Sequence, residues 1–401
     1  MDTSEFSKPA GEFVDINGSD GLMYKAFVPA KLPVKIDFDN EALVLLEKAG
    51  QSLGRLDGIG KYLVKMLNVD MAYFIRPYLR NEAVMSSRIE GTRSTLLDVL
   101  DAEMKGDTAQ EESKGDLFEV LNYVRAQNYG MQYITHSNDI GLELIKELHK
   151  RLLMHVRGEK AQPGSFREVQ NYISKYQTGR GIEYATYIPP PPGMVPQLLE
   201  NLVEYMESGQ DPPLVKIALM HYQFEAIHPF LDGNGRIGRL LIMLYAAKEK
   251  VLTEPLLYMS EYFEANRLDY YSLLLNVSKN SAYLEWIKFF LTGIVSQSEK
   301  TIRGIESMVE YYDNKRGIIN SKYSKSTLAV FQSLFSHPMI TLPMAAKMLN
   351  LKYPTVKKAA MNLIEEGVLE KMEWKKRPTR FIAKTLYEIH MGNYTKAQSG
   401  P

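Results

Sequence analysis

Two apolar helical runs, 214–227 and 237–247, are joined by His228-Pro229-Phe230-Leu231-Asp232-Gly233-Asn234-Gly235-Arg236, with Arg239 one turn into the second run. This pattern dictates a helix–loop–helix with a polar loop at the mouth of the second helix. Glycines let backbone N–H groups approach an anion with no Cβ in the way. A helix N-terminus adds unpaired N–H groups and the positive end of its dipole. Arg236 and Arg239 stand at i and i+3, on one side of that helix, and arginine forks suit phosphate oxygens. His228, before Pro229, sits at the loop edge, where a near-neutral imidazole can take a proton from a hydroxyl. Asp232 reads either as a turn residue or as a Mg²⁺ ligand, since Mg²⁺ takes one or two carboxylates beside phosphates and water. Zinc on His221, His228 and Asp232 is the rival, but the two histidines stand two helical turns apart, so His221 reads as packed. Phe230 reads as the loop's apolar anchor.

The rest of the composition fits an enzyme or regulator. With 401 residues the chain is expected to form two or three domains. The formal net charge is zero, so no global field recruits nucleic acid or membrane. Cysteine is absent, which excludes disulfides, thiolate metal sites and cysteine nucleophiles. No apolar run approaches the roughly 18 residues of a membrane span, and the acidic N-terminus lacks a signal-peptide core. A cytoplasmic protein with no membrane partner is the expectation.

In chain order, residues 1–35 read as an irregular arm. A helix is expected over 39–53, broken by Gly58-Ile59-Gly60, with a short helix to 66. Pro77 opens the next, which ends at Gly91, a C′ glycine. Helices follow at 96–104, 117–133, 140–156, 195–206, 214–227, 237–248 and 260–277, with a polar surface loop over 105–116. Residues 169–188 alternate around Thr178-Gly179-Arg180-Gly181 as a hairpin, stopped by Pro189 to Pro192. An apolar run over 286–295 and a connector helix over 296–312 lead to a boundary at 313–326. Three short helices (327–335, 342–349, 353–366) and two strands (369–373, 380–383) then give the pattern of a winged helix-turn-helix. The expected fold is mainly α: a helical bundle with a β-hairpin flap and a small winged domain. Residues 1–112 form an N-terminal helical region, 113–312 a core with its connector helix, and 313–401 the winged domain.

Read as written, His-Pro-Phe-x-Asp-Gly-Asn-Gly-Arg-x-x-Arg resembles the signature of the Fic family, whose members transfer AMP from ATP to a protein hydroxyl. The resemblance implies ATP as co-substrate, Mg²⁺ on Asp232 and His228 as the base. It implies that Gly233, Asn234 and Gly235 hold the phosphates with backbone and side-chain donors, and that Arg236 and Arg239 neutralise the distal ones. Tyr270 and Tyr271 fall where relatives place aromatics near the adenine, although an aromatic pair at helical spacing also suits a core. The hairpin at 171–188 resembles the flap that docks the target protein by strand addition; a plain connecting hairpin is the alternative. Upstream, Ser86-Ser87-Arg88-Ile89-Glu90-Gly91 matches the family's inhibitory pattern. Ser86 and Glu90, at i and i+4, lie on one helix face. The resemblance implies that Glu90 pairs with an arginine of the cradle, Arg239, and turns ATP from a productive pose.

These expectations describe an autoinhibited protein AMP-transferase acting on a Ser, Thr or Tyr hydroxyl of a target protein, with the enzyme itself a second candidate target. Two alternatives stay open: a de-AMPylating hydrolase in which Glu90 aligns water, and a DNA-binding regulator with a nucleotide-sensing core. The second rests on residues 325–390, where eleven Lys/Arg face five Asp/Glu. Lys357 and Lys358 fall on the presumed recognition helix, and Lys375, Lys376, Arg377 and Arg380 on the wing, a footprint suited to phosphates. Winged domains also serve as protein-docking or dimerisation modules, so DNA and a homo-oligomer both stand open as partners.

Overall fold

A computed structural model describes residues 2–18, 20–67, 71–105, 115–154, 162–174, 181–372 and 379–392. Parts of the expected surface loop (106–114), the last residues of the helix expected over 140–156, the hairpin tip Thr178-Gly179-Arg180 and the wing cations Lys375, Lys376 and Arg377 lie outside these residues.

The fold is mainly α, as the periodicity predicts. The N-terminal arm departs from expectation: it is an antiparallel hairpin of β1 (Gly11–Asn17) and β2 (Met23–Pro29), with Phe13 opposite Phe27. Phe6, Phe13 and Phe27 pack ring on ring, Phe27 also meets Tyr187, and the Phe27 N–H donates to the Ile188 carbonyl at 2.8 Å. This aromatic cluster gives the short strands a partner that two strands alone would lack. α1 (Asn40–Leu67) runs unbroken through the two glycines expected to end it. Each glycine costs about 1 kcal/mol against alanine, whereas Leu53 and Leu56 are buried and the Thr253 N–H is tied to Asp57 at 2.8 Å. α2 (Met71–Ile89) likewise begins before Pro77 and carries it inside.

α3 (Leu96–Lys105), α4 (Asp116–Ser137) and α5 (Leu142–Leu152) follow, then the short flap strands β3 (Ile173–Ser174) and β4 (Ala185–Tyr187). α6 (Val195–Ser208) leads to the central pair, α7 (Pro213–Ile227) and α8 (Asn234–Lys248). Almost every residue of α7 and α8 is buried, which is why neither shows a polar stripe. Gly238 lets the two approach: a Cβ there would stand 2.4 Å from Glu225 Oε1 and 3.2 Å from the Phe224 ring.

The helix expected over 260–277 is two, α9 (Ser260–Ala265) and α10 (Arg267–Asn280). The break is at Asn266, whose backbone leaves the helical region at φ −116°, ψ +37°, while its backbone N–H (3.0 Å) and side-chain amide (2.9 Å) both donate to the Tyr262 carbonyl. α11 (Tyr283–Lys322) packs along α1 and continues through 313–322, where the sequence suggested a polar boundary. Its far half carries α12 (Lys325–Ser333), β5 (Met339–Thr341), α13 (Leu342–Met348), α14 (Tyr353–Glu365), β6 (Glu370–Lys371), β7 (Arg380–Ile382) and α15 (Lys384–His390). The strands form an antiparallel sheet in the order β5-β7-β6. One correction concerns Arg380, expected to face phosphates: its side chain is buried in an ion pair with Asp101 of α3.

Candidate active site

The site is the mouth of α8. The first backbone N–H bonded within the helix is that of Ile237, to the Gly233 carbonyl at 3.0 Å, so the N–H groups of Asn234, Gly235 and Arg236 have no helical partner. Gly233 takes a left-handed turn at φ +82° that favours glycine. Asn234 braces the loop from inside: its amide oxygen accepts from the Phe230 N–H and its amide nitrogen donates to the Phe230 carbonyl, both at 2.8 Å. Its side chain is therefore committed to the loop, which leaves backbone donors for an anion.

His228 caps α7 in a left-handed conformation, φ +50°. Its Nδ1 donates to the Glu225 carbonyl at 3.3 Å, which leaves Nε2 as the acceptor nitrogen. Burial pushes its pKa down to about 4, below the near-neutral value the sequence suggested. The imidazole is therefore neutral at physiological pH.

Residues outside the motif hold this loop, and the sequence did not assign them. Arg167 donates from its backbone to the Pro229 carbonyl and from its guanidinium to the carbonyls of His228 (2.9 Å) and Pro190 (2.5 Å). Asn171 donates to the Phe230 carbonyl at 2.9 Å. His149, buried and stacked 3.7 Å from Phe230, accepts from the Gly164 N–H at Nδ1 and donates from Nε2 to the Asp232 carbonyl at 3.0 Å. The only sequence signal for these was polar residues amid an apolar helix and before a hairpin, because their partners lie far away in the chain.

The two arginines go to different partners. Arg236 Nη1 donates to Glu119 of α4 at 3.0 Å, with both side chains buried, and its Nη2 lies 3.6 Å from Asp232. Arg239 reaches α2: Nε donates to Ser86 Oγ (2.9 Å), and Nη2 to the Ser86 carbonyl (2.9 Å) and to Glu90 Oε1 (2.7 Å). Arg239 is 1% exposed and Glu90 34%. Burial opposes the charge on both, but each charge stabilises the other. The Glu90 carboxyl is held below its ordinary pKa and the Arg239 guanidinium above its own. Gly235 makes room for the pair, since a Cβ there would stand 2.3 Å from Glu90 Oε1. Gly91 turns the chain at φ +100° directly after Glu90.

Asp232 is half exposed and accepts the Gly233 N–H at 2.6 Å. A single such carboxylate beside free N–H donors suits Mg²⁺, which completes its shell with phosphate and water. Zinc has no such set: among the described residues no three His, Cys, Asp or Glu converge. His221 is buried, bonded to the Tyr270 hydroxyl at 2.8 Å. Tyr270 is core, stacked 4.5 Å from Phe263, whereas Tyr271 is 44% exposed beside Arg267.

A Fic/DOC family model matches residues 139–246, which include the whole loop, and a Fic/DOC N-terminal model matches 43–132, which include Ser86 and Glu90. The chain belongs to the Fic/DOC family. It is 31% identical over 192 residues to a protein adenylyltransferase Fic of Drosophila grimshawi, covering 45% of this chain and 36% of that protein. It is 32% identical over 164 residues to that of Drosophila melanogaster, covering 38% and 29%. The chain thus spans about a third of the length of these curated relatives. A Fic family protein from Desulfovibrio desulfuricans G20 shares the fold, with a TM-score of 0.55 at 19% identity over 88% of this chain and 98% of that one.

Proposed function

We propose that this Fic protein is a protein adenylyltransferase that moves AMP from ATP to a hydroxyl of a target protein, restrained by its own Glu90. The observation that carries the reading is a neutral imidazole beside the open N–H groups of α8, with Arg239 of the same helix held by a carboxylate of α2. The target oxygen attacks the α-phosphorus and its proton passes to His228 Nε2. The bond from the α-phosphorus to the bridging oxygen breaks, and pyrophosphate leaves. The N–H groups of Asn234, Gly235 and Arg236 hold the phosphates, Arg239 takes the terminal one once Glu90 releases it, and the exposed Tyr271 is the aromatic available to stack on the adenine. Asp232 would hold Mg²⁺, which neutralises the phosphate charge when bound. Arg236, tied to Glu119, fixes the first turn of α8 rather than reaching the nucleotide. The flap strands, with Tyr172, Ile173 and Tyr184 exposed, are where an extended target segment adds. Mass spectrometry of the Glu90→Gly protein with Mg-ATP and cell lysate tests the reading. Target proteins heavier by one AMP are expected, and their absence, with none on the enzyme itself, rejects it.

The low pKa of His228 gives this reading a pH signature. The base is neutral above about pH 4 and is lost only as pH falls through that value. In Glu90→Gly, AMP transfer should stay level from pH 8 to about pH 5, where an unperturbed histidine would lose activity near pH 6.5. A pH–rate profile with its acid limb at 6.5 contradicts the burial argument.

A second reading concerns α14. Lys352, Lys357 and Lys358 are exposed there together with Tyr353 and Met361, and Lys347 of α13 is exposed nearby. These cations, on the helix that a winged domain inserts into a groove, favour contact with a DNA backbone. Gel-shift affinity should fall steeply with salt and weaken in Lys357→Glu/Lys358→Glu; salt-independent or absent binding removes this reading.

A further inference from the structure

The corner that presents Glu90, where α2 ends and α3 begins, is gripped on its outer side by the C-terminal domain. Asp101 of α3 and Arg380 of β7 form an ion pair in which both side chains are at most 5% exposed. Around it Leu96 and Leu100 of α3 pack on Met339 of β5, with Met104, Met372, Tyr387 and Met391 against them. Farther back along α2, Arg76 donates to His337 Nε2 at 2.8 Å, and Tyr78 meets the His390 ring edge-on at 5.2 Å. Both helices of the corner are thus held by β5, β7 and α15, none of which approaches the nucleotide site.

The grip is incomplete. Between α2, α9, α11 and α15 lies a cavity lined by Asn81, Glu82, Tyr258, Lys300 and His390. The Asn81 amide oxygen and the Tyr258 hydroxyl are buried there and make no hydrogen bond to the protein. The buried ion pair favours the closed state only as long as both partners stay in place. A seam held in this way can open.

We infer that the C-terminal domain is the clamp of the inhibitory corner, and that loosening its hold on α3 releases Glu90 from Arg239. The inference rests on the reading of Glu90 as a brake. It assigns Arg380 and Asp101 a regulatory role at a distance from the chemistry. It also means that a ligand drawing the C-terminal domain off α3 would switch the enzyme on.

The test compares wild type, Asp101→Asn, and the double charge swap Asp101→Arg/Arg380→Asp, each with and without Glu90→Gly. The readouts are AMP incorporation from α-labelled ATP and hydrogen exchange of the α2–α3 amides. Asp101→Asn should raise incorporation about fivefold or more, the lower range of coupling between sites, and speed exchange at the corner. The swap should restore restraint, and neither change should matter once Glu90 is glycine. Leu100→Ala, which loosens the same seam without touching a charge, replaces Asp101→Asn should that protein not fold. If Glu90→Gly activates but the seam variants do not, the clamp is wrong while the brake stands. Activation that persists equally in the Glu90→Gly background, or a swap that fails to restore restraint, also overturns it. If Glu90→Gly itself gives no rise, the brake reading fails and the clamp falls with it.

Discussion

Replacing His228 by alanine in the Glu90→Gly protein lowers AMP incorporation by about 10²–10⁴-fold, the range a positioned general base supplies. The loss is expected in turnover rather than in ATP binding, because the proposed function has the mouth of α8 and Arg239, not His228, hold the phosphates. The imidazole is well placed for this role: Nδ1 is committed to the Glu225 carbonyl, and Arg167 fixes the carbonyl of His228 itself. Alanine is strained at the φ of +50° that His228 adopts. His228→Asn is the better-matched control, since asparagine tolerates the left-handed region. It keeps the cap, removes the base, and should show the same loss. Unimpaired transfer by His228→Asn would mean that another group takes the proton.

Glu90→Gly has the second large effect, and it is double-edged. Freed of its carboxylate, Arg239 can meet a terminal phosphate, and AMP incorporation should rise roughly 5- to 150-fold, the usual span of coupling between linked sites. The same change leaves a buried guanidinium with Ser86 as its remaining partner. Breaking a fully buried pair costs about 3–5 kcal/mol. Glu90 is a third exposed, so solvent screening reduces this to about 1–2 kcal/mol. The variant should therefore be more active and less heat-stable, with much of the lost stability returned by ATP. Thermal unfolding with and without nucleotide checks this; a variant that is more active with unchanged melting would mean that Glu90 does not bear on the Arg239 charge.

The helix–loop–helix and the i,i+4 pair Ser86/Glu90 were legible in the sequence because each is a local pattern. Their meeting was accessible through family resemblance, since spacing along the chain does not say which of two arginines faces α2. The structure separates these: Arg236 goes to Glu119 and Arg239 to Glu90. What the sequence hid was long-range. His149 reaches the Asp232 carbonyl across 83 residues and Arg167 the His228 carbonyl across 61, and no periodicity encodes such bonds. The N-terminal hairpin was missed for a related reason: its seven-residue strands hold through aromatic contacts reaching Tyr187. The glycines in α1 do not end the helix, because packing along α11 outweighs their local cost.

Titration calorimetry with Mg-ATP and Mg-ADP on wild type and Glu90→Gly addresses the contest for Arg239 most directly. With Arg239 proposed to meet only the terminal phosphate of ATP, Glu90→Gly should tighten ATP about fivefold or more and leave ADP nearly unchanged. Equal gains for both nucleotides, or none for either, would contradict a carboxylate and a γ-phosphate competing for the same guanidinium.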